Sequence, residues 1–375
     1  MPNEKDHASV VGAGTAGLIA ARRLAELGVE VSVYEQKRLP GRPVRASGIV
    51  SRTGLQSLGV GYSGAVTNTL HGARIHAGKS SLSAYSRKAM AHVVDRERLS
   101  DICHDEAVAA GAEVSLRRRI TGGGLASLSE SGIVVGADGA VSSVARHFGM
   151  GSIPDYCVTY KADYDISAAD PGVVDIFLNN SISKGLFGWI CPNSKDIVEV
   201  GVGLSHNHGN AKKAFDRLMS LPGVSDIVSG KKPLSEGASI IPMGLRRKIV
   251  DRARGVLLVG DAAGQVKPST GGGIVFGGNA ALLAAEGIRK EIDGEEGISW
   301  YEKEYVKRYS LDTQLHAMIR WVYSNMGAGG LESMLGVMSY LGVGSMLGKY
   351  GEMDMPSRIV GNVVRGLADT IYNAL

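Results

Sequence analysis

The alternation of apolar and polar positions near the start of the chain predicts a strand, a helix and a second strand. Residues 8–14 (ASVVGAG) form a short apolar run that ends in glycines. Residues 15–27 then repeat apolar positions at helical spacing, and Gly28 stands where helices commonly end. A second apolar run, VEVSVYEQ, occupies 29–36. This order indicates the start of a doubly wound α/β domain with a Rossmann-like fold.

The period of the pattern changes further along the chain. Short alternating runs between 71 and 95 indicate strands, with HAGKS as a hairpin loop. The pattern at 133–146 is again strand, turn and helix, and 155–204 indicates consecutive antiparallel strands. A buried strand with a glycine turn follows at 255–264, and the pattern is helical from about 275 onward.

These elements predict an α/β protein, α+β overall, in three parts. The parts are a discontinuous Rossmann-like nucleotide-binding domain at 1–62, 90–150 and 238–290, a β-rich substrate-binding domain with an antiparallel sheet at 63–89 and 151–237, and a helical C-terminal region at 291–375.

Composition and charge exclude several classes of function. The net charge of +4, from 41 basic and 37 acidic residues, is too small to indicate nucleic-acid binding. The three cysteines, Cys103, Cys157 and Cys191, are widely spaced and form no Cys/His cluster, so neither a disulfide framework nor a metal site is predicted. A reducing, intracellular setting fits this cysteine usage.

The sequence also predicts a chain that does not cross a membrane. The N-terminus passes from polar residues directly into a strand, without the pattern of a secretory signal. The uncharged run between Glu332 and Lys349 has 16 residues, whereas a spanning helix needs about 20. Its segment 334–348 mixes Met and Leu with glycines, which suits either a membrane-surface contact or a plain core helix.

The first strand–helix turn carries a phosphate-binding pattern. In the segment GAGTAG, Gly12 permits a tight turn, Gly14 lets a pyrophosphate approach the backbone, and Gly17 lets helix and strand pack closely. Thr15 and Ala16 place the helix amides between these glycines, where they meet phosphate charge. A glycine turn in an unrelated α/β protein is the alternative.

An acidic residue completes this pattern. Glu35 closes the second strand, where its carboxylate accepts hydrogen bonds from an adenosine ribose. A ribose without a 2′-phosphate fits FAD or NAD better than NADP.

A second glycine-rich region decides between FAD and NAD. Gly260 and Asp261 follow an apolar strand, which places a carboxylate at a turn suited to the hydroxyls of a ribityl chain. The residues that follow and begin a helix let backbone amides approach a planar ring edge-on: Pro268, Gly271, Gly272, Gly273 and Ile274. A solvent-exposed turn and a flexible loop are the alternatives.

Three segments in this order resemble the flavin fingerprints of the para-hydroxybenzoate-hydroxylase-like flavoproteins. They are GAGTAG with Glu35, GADGAVSSVAR at 136–146, and GDAAGQVKPSTGGGI at 260–274. Within that superfamily the chain most resembles the geranylgeranyl reductase family, close to archaeal digeranylgeranylglycerophospholipid reductases. The further residues behind this are PVRASGIVS at 43–51, VVDRERL at 93–99 and GLFGWICP at 185–192.

The resemblance implies additional cofactor contacts. It places Arg96 and Arg98 near the flavin, with Arg96 as the cofactor contact, and Asp138 at the flavin turn. A solvated helix face is the alternative for either arginine. Ala46 stands where many relatives have a cysteine, so the resemblance implies no thiol chemistry at that turn.

The segment GLFGWICP resembles the family motif Pro-x-x-Tyr-x-Trp-x-Phe-Pro, which lines a lipid-chain cavity. Trp189 and Pro192 match the motif, whereas Phe187 replaces Tyr, Cys191 replaces Phe and Lys184 replaces the first Pro. Alternation along a strand puts Phe187, Trp189 and Cys191 on one face. We therefore expect Phe187, Trp189, Cys191 and Pro192 to contact substrate, with ordinary sheet core as the alternative.

The resemblance implies FAD-dependent reduction of carbon–carbon double bonds in geranylgeranyl chains of isoprenoid lipids. It implies an external reductant, NAD(P)H or a ferredoxin-like donor, because the sequence has no second GxGxxG between a predicted strand and a helix, as a nicotinamide domain would need. A cytoplasmic protein, peripheral at the inner face of the membrane, is the expected setting. No catalytic residue is assigned, and His206 and His208 are expected to be solvated. A flavin-dependent aromatic hydroxylase and a non-catalytic flavin- or lipid-binding protein are the alternatives.

Overall fold

The residues described in the computed structural model are 7–44, 46–228 and 230–359, and they contain sixteen strands, twelve numbered α-helices and a further helical turn at 356–359. The ends of the predicted outer parts, 1–6 and 360–375, lie outside them. The strands are β1 (His7–Val11), β2 (Glu30–Tyr34), β3 (Ile49–Ser51), β4 (Val66–Leu70), β5 (Gly72–Ala77), β6 (Ser80–Tyr85), β7 (Ala91–Val94), β8 (Glu113–Ser115), β9 (Ile133–Gly136), β10 (Asp155–Asp165), β11 (Val173–Phe177), β12 (Gly188–Pro192), β13 (Ile197–Ser205), β14 (Ser235–Met243), β15 (Val250–Asp251) and β16 (Val256–Leu258). The helices are α1 (Thr15–Glu26), α2 (Arg52–Ser57), α3 (Arg96–Ala109), α4 (Gly123–Ser131), α5 (Ser143–His147), α6 (Asn180–Ser183), α7 (Ala211–Met219), α8 (Val224–Val228), α9 (Ile274–Ile292), α10 (Gly297–Asn325), α11 (Ala328–Tyr340) and α12 (Val343–Tyr350).

A six-stranded sheet carries the first glycine turn. Its order is β15-β16-β9-β1-β2-β8, and its strands pair in parallel except for β15 with β16. Val10 of the central strand pairs with Val33 on one side and Val135 on the other. Strands buried on both faces read as continuous apolar runs, as β9 and β16 do. The predicted α/β fold is confirmed here.

A seven-stranded sheet forms the second layer, in the order β14-β10-β13-β12-β11-β5-β6. Its pairs are antiparallel except β5 with β11, which run in parallel. The antiparallel strands expected over 155–204 are confirmed, and the one parallel pair joins β11 to β5, which lies outside that range. Alternation along a strand fixes which face is buried, but it does not fix the strand's neighbour or direction.

A small third sheet, β3-β7-β4, connects strands from two of the predicted parts. Strand β4 belongs to the predicted segment 63–89, yet it pairs with β7 from 90–150. Strand β14 likewise extends across the predicted boundary at 237. The proposed division into domains stays a prediction. The two larger sheets are joined more closely than the predicted domain boundaries suggest.

The C-terminal helices cover both layers. Helix α10 packs along α9, and α11 and α12 pack on β5 and β6. Leu331 and Leu335 of α11 are buried against Leu82 of β6, whereas Tyr340 is 91% exposed. The segment 334–348 is thus part core and part surface. Among the described residues no helix is long and apolar enough to span a membrane.

Candidate functional site

The turn after β1 is shaped for close approach of a phosphate group. Gly12 has a φ of +107°, and a Cβ there would lie 2.4 Å from the Ala137 carbonyl oxygen. At Gly14, by contrast, a Cβ would meet no atom within 4 Å, so the backbone faces open space. Helix α1 begins directly after this residue, and no side chain caps its N-terminus. Its first amides are therefore available to an anion.

Glu35 lies against the same turn. One carboxylate oxygen accepts a hydrogen bond from the Ala13 amide at 2.8 Å, and the other accepts from the Lys37 amide at 2.9 Å. An ionised carboxylate has about four lone-pair positions, so these two bonds leave room for ribose hydroxyls. The ribose contact itself stays a prediction.

A continuous row of residues leads from this turn to the second glycine-rich region. A Cβ at Gly260 would lie 2.9 Å from the Ala16 Cβ, which places the two glycine turns side by side. Asp261 follows, and a Cβ at Gly273 would lie 2.9 Å from its Oδ1. An extended molecule with phosphates at Gly14 and a ribityl chain at Asp261 thus reaches the loop that precedes α9.

Arg96 and Asp261 place opposite charges near each other in this row. The Nε of Arg96 is buried and has no hydrogen-bond partner among the described residues, and its Nη1 is 3.4 Å from the Ser47 carbonyl oxygen. Burial lowers the pKa of Arg96, and Asp261 opposes that change. Burial likewise raises the pKa of Asp261, which Arg96 opposes. An unpaired buried donor is costly, so these residues fit a bound polar cofactor such as FAD.

A cavity of about 360 Å³ opens beside the second glycine loop. That volume lies within the range of about 300–1,000 Å³ typical of small-molecule sites. One side is formed by the glycine loop and Arg96, and the opposite side is mainly aliphatic and aromatic. The lining includes Ala46, Arg96, Phe187, Trp189, Lys267, Gly271, Gly272, Gly273, Ile274 and Met353.

The aromatic wall is held by a buried carboxylate. The rings of Phe187 and Trp189 meet edge to face, with centroids 6.2 Å apart. The Trp189 Nε1 donates to Glu199 Oε1 at 2.8 Å, and Lys161 Nζ donates to Glu199 Oε2 at 2.5 Å. Burial by itself would lower the pKa of Lys161, but the adjacent Glu199 raises it above its ordinary value.

Cys191 and Pro192 are not among the residues that line the cavity. The predicted alternation is present, since Trp189 and Cys191 share one apolar cluster. Cys191, however, is enclosed by Val93 and Val174 of neighbouring strands, and burial raises the pKa of its thiol well above the ordinary value. The carbonyl of Pro192 accepts a hydrogen bond from the Asn68 side chain at 2.7 Å. Neighbouring strands close the cavity before β12 reaches these two residues.

Other predicted positions are distributed around the site. The Asp138 carboxylate accepts bonds from the Ser143 amide at 2.6 Å and the Ser142 hydroxyl at 2.5 Å, so it stabilises the N-terminus of α5 directly behind Gly12. Pro268 is buried and outside the lining, and Arg98 is exposed. His206 and His208 are exposed, as expected. Ala46 places a methyl group in the cavity wall.

Three polar residues near the cavity were not predicted from the sequence: Glu199, Lys267 and Asp354. Glu199 had a recognisable signal, because it is the only charged position in the apolar strand IVEVGVGLS. Lys267 stands in a loop before a proline, a context typical of a solvated lysine. Asp354 lies in the segment EMDMPS near the end of the chain, where no local pattern relates it to the glycine loop.

Comparisons with known proteins agree with this geometry. The family described as FAD binding domain matches residues 6–306. The chain is 30% identical over 329 residues to the digeranylgeranylglycerophospholipid reductase of Methanosarcina acetivorans, which covers 80% of this chain and 79% of that one. The chain belongs to the geranylgeranyl reductase family of FAD-dependent oxidoreductases. The matched residues include the row from Gly14 to the loop before α9, which we expect to hold FAD.

Solved structures share the fold of this reductase-family protein. A geranylgeranyl bacteriochlorophyll reductase-like protein from Thermoplasma acidophilum superposes with a TM-score of 0.79 at 22% identity, covering 89% of this chain and 91% of that one. A flavin-dependent brominase superposes with a TM-score of 0.69 at 16% identity, covering 98% and 100%. Identities this low show a shared fold and do not establish a shared reaction.

Proposed function

We propose that this oxidoreductase reduces carbon–carbon double bonds in the geranylgeranyl chains of isoprenoid lipids. The observation that carries the proposal is the apolar, aromatic-walled cavity directly beside the glycine loop of the FAD site. A branched hydrocarbon chain gains about 25 cal/mol for each Å² that such a wall removes from water. The names of the related reductases point to the same substrate class.

The residues of the chain supply binding and orientation. Reduced FAD, when bound, supplies the hydride for one alkene carbon. Gly271, Gly272 and Gly273 leave space for a flat ring at the cavity edge, and Phe187 and Trp189 form a wall that holds a prenyl chain. A prenyl alkene has no carbonyl group for the protein to polarise, so catalysis depends on placing the double bond and excluding water.

The proposal includes an external source of electrons. The GxGxxG turn at 12–17 leads from a strand into a helix and is proposed to serve FAD, whereas the other GxGxxG match, at 59–64, lies between α2 and β4 and not at a strand-to-helix turn. We therefore propose that NAD(P)H or a ferredoxin-like protein donates electrons from outside the chain.

The proposal also includes contact with a membrane surface at the cytoplasmic face, where a lipid substrate resides. Helices α10 and α11 and the residue after α11 expose apolar side chains to water, among them Trp321 at 67%, Tyr340 at 91% and Leu341 at 67%. Aromatic side chains with one polar end suit the interface between lipid and water.

An anaerobic turnover assay tests the proposed reaction. The purified FAD-bound protein is mixed with dithionite and a digeranylgeranylglycerophospholipid, and the extracted lipid is examined by mass spectrometry. We expect products heavier by two hydrogens for each double bond reduced. Product formed only in air and containing oxygen would indicate a hydroxylase, and lipid recovered unchanged would indicate a binding protein.

A substitution in the cavity wall tests where the reaction occurs. Trp189→Ala removes a wall side chain and is expected to lower turnover at least tenfold while FAD stays bound, because the glycine turns hold the cofactor elsewhere. Trp300→Ala is the matched control, since Trp300 of α10 packs against the main apolar core and does not line the cavity. Equal turnover in the two variants would show that the wall does not position substrate.

A further inference from the structure

A buried ion pair lies against the glycine loop of the FAD site. The Lys267 Nζ donates to Asp354 Oδ1 at 2.6 Å, and the two side chains are only 6% and 5% exposed. Lys267 and Arg96 are the basic residues of the cavity lining, and Met353 next to Asp354 also contacts the cavity. Lys267 is therefore part of the wall beside the proposed FAD position, and Asp354 binds it from outside the cavity lining.

The position of the ammonium group is fixed relative to the loop. The Lys267 amide donates to the Gly272 carbonyl oxygen at 3.1 Å, and the Gly271 amide donates to the Lys267 carbonyl oxygen at 2.8 Å. A Cβ at Gly272 would lie 2.8 Å from Lys267 Cε and 3.4 Å from its Nζ. The positive charge thus lies directly behind the backbone that meets the ring edge.

Asp354 is held from the opposite side. Its Oδ2 accepts a hydrogen bond from the Ser51 hydroxyl, and its carbonyl oxygen is 3.2 Å from His316 Nε2. His316 Nδ1 in turn lies 2.7 Å from the Ser269 hydroxyl of the same loop. The segment after α12 therefore brings a carboxylate to Lys267 from 87 positions away in sequence.

We propose that Lys267 and Asp354 together set the reduction potential of bound FAD. The inference rests on the FAD site and on the glycine loop meeting the flavin ring, as used in the proposed function. Two-electron reduction adds negative charge to the ring, and a nearby ammonium group stabilises that charge most strongly where water is excluded. Asp354 opposes this stabilisation and holds the ammonium in place. Lys267 raises the reduction potential of bound FAD, and Asp354 makes that increase smaller.

Lys267 and Asp354 are therefore expected to shift the reduction potential of FAD in opposite directions. An ion pair that only stabilises the fold would not produce opposite shifts. Lys267→Met removes the positive charge with little change of side-chain length, so oxidised FAD is favoured. Asp354→Asn removes the negative charge with the same shape, so reduced FAD is favoured. Arg96 and Asp261, the other charges of the site, are unchanged in both variants.

The experiment measures the potential of FAD in the full chain, without lipid, by slow anaerobic reduction beside a reference dye at pH 7. At one ambient potential, we expect Lys267→Met to shift the ratio of reduced to oxidised FAD about tenfold toward oxidised. Asp354→Asn should shift it about tenfold toward reduced. For a two-electron couple, a tenfold change corresponds to about 30 mV. The double variant should fall between the two single variants.

Lys290→Met is the control, because Lys290 pairs with the exposed Glu295 and does not line the cavity; its potential should equal that of the wild type. Shifts of the same sign in both variants, or no shift with FAD fully bound, would overturn the proposal. If Lys267→Met does not fold, Asp354→Asn decides alone, and an unchanged or lower potential overturns it. Because no lipid is present, this result is independent of whether prenyl chains are the substrate.

Discussion

At the residue scale, the orientation of Trp189 depends on Glu199, which is wholly buried. Glu199→Gln can still accept the indole N–H bond, but it leaves the Lys161 ammonium without its close partner. Breaking a buried pair on one side commonly costs about 3–5 kcal/mol. Asp163 is 3.7 Å from Lys161 and offsets part of this loss. We expect the free energy of unfolding, measured in urea, to fall by about 3 kcal/mol.

The control for this prediction removes both charges. Lys161→Met combined with Glu199→Gln leaves no unpaired ammonium, so it should be less destabilised than the sum of the two single variants. A Glu199→Gln protein as stable as the wild type would contradict the role assigned to this pair.

At the element scale, the side chain of one arginine in the loop that follows β2 forms ion pairs with helix α3. Arg42 bonds Asp101 at 2.7 Å and 2.8 Å and Glu97 at 2.9 Å. The hydrogen bond from Arg42 lowers the pKa of Asp101 below its ordinary value. A carboxylate with a lowered pKa in the folded state contributes stability above its unfolded pKa of about 3.9, and this contribution is lost as the pH falls through the folded pKa.

Arg42→Met tests this attachment. Because the partners are partly exposed, we expect a loss of about 1 kcal/mol in the free energy of unfolding at pH 7. The difference from the wild type should shrink as urea unfolding is repeated at pH values below about 4. Arg38→Met, at an exposed position of the same loop, is the control and should show no loss. A difference that is independent of pH would contradict the ion-pair account.

The elements that the sequence predicts well are those with local signals. The turns at Gly12–Gly17 and Gly260–Ile274 were recognisable because each fingerprint lies within one continuous stretch of sequence. The parallel pairing of β11 with β5 and the pairing of Lys267 with Asp354 were not, because both depend on residues distant in sequence that only the folded chain brings together. Cys191 belongs to the same class, since its enclosure comes from neighbouring strands.

At the scale of the whole molecule, the exposed apolar side chains of α10 and of the end of α11 give a test of membrane contact. Replacing both Trp321 and Leu341 with Ser should lower the fraction of protein that floats with liposomes at least threefold, because it removes apolar area that lipid would cover. Leu234→Ser is the control, since Leu234 is 60% exposed but outside these helices. Equal flotation of both variants, or none for the wild type, would contradict the proposed surface.

A single-turnover measurement shows whether the cavity brings a prenyl double bond to reduced FAD. FAD-bound protein is reduced stoichiometrically without oxygen and then mixed with a lipid that carries geranylgeranyl chains. We expect the absorbance of oxidised flavin to return while one double bond is reduced for each FAD. Flavin that stays reduced until air is admitted, with the lipid mass unchanged, would contradict it.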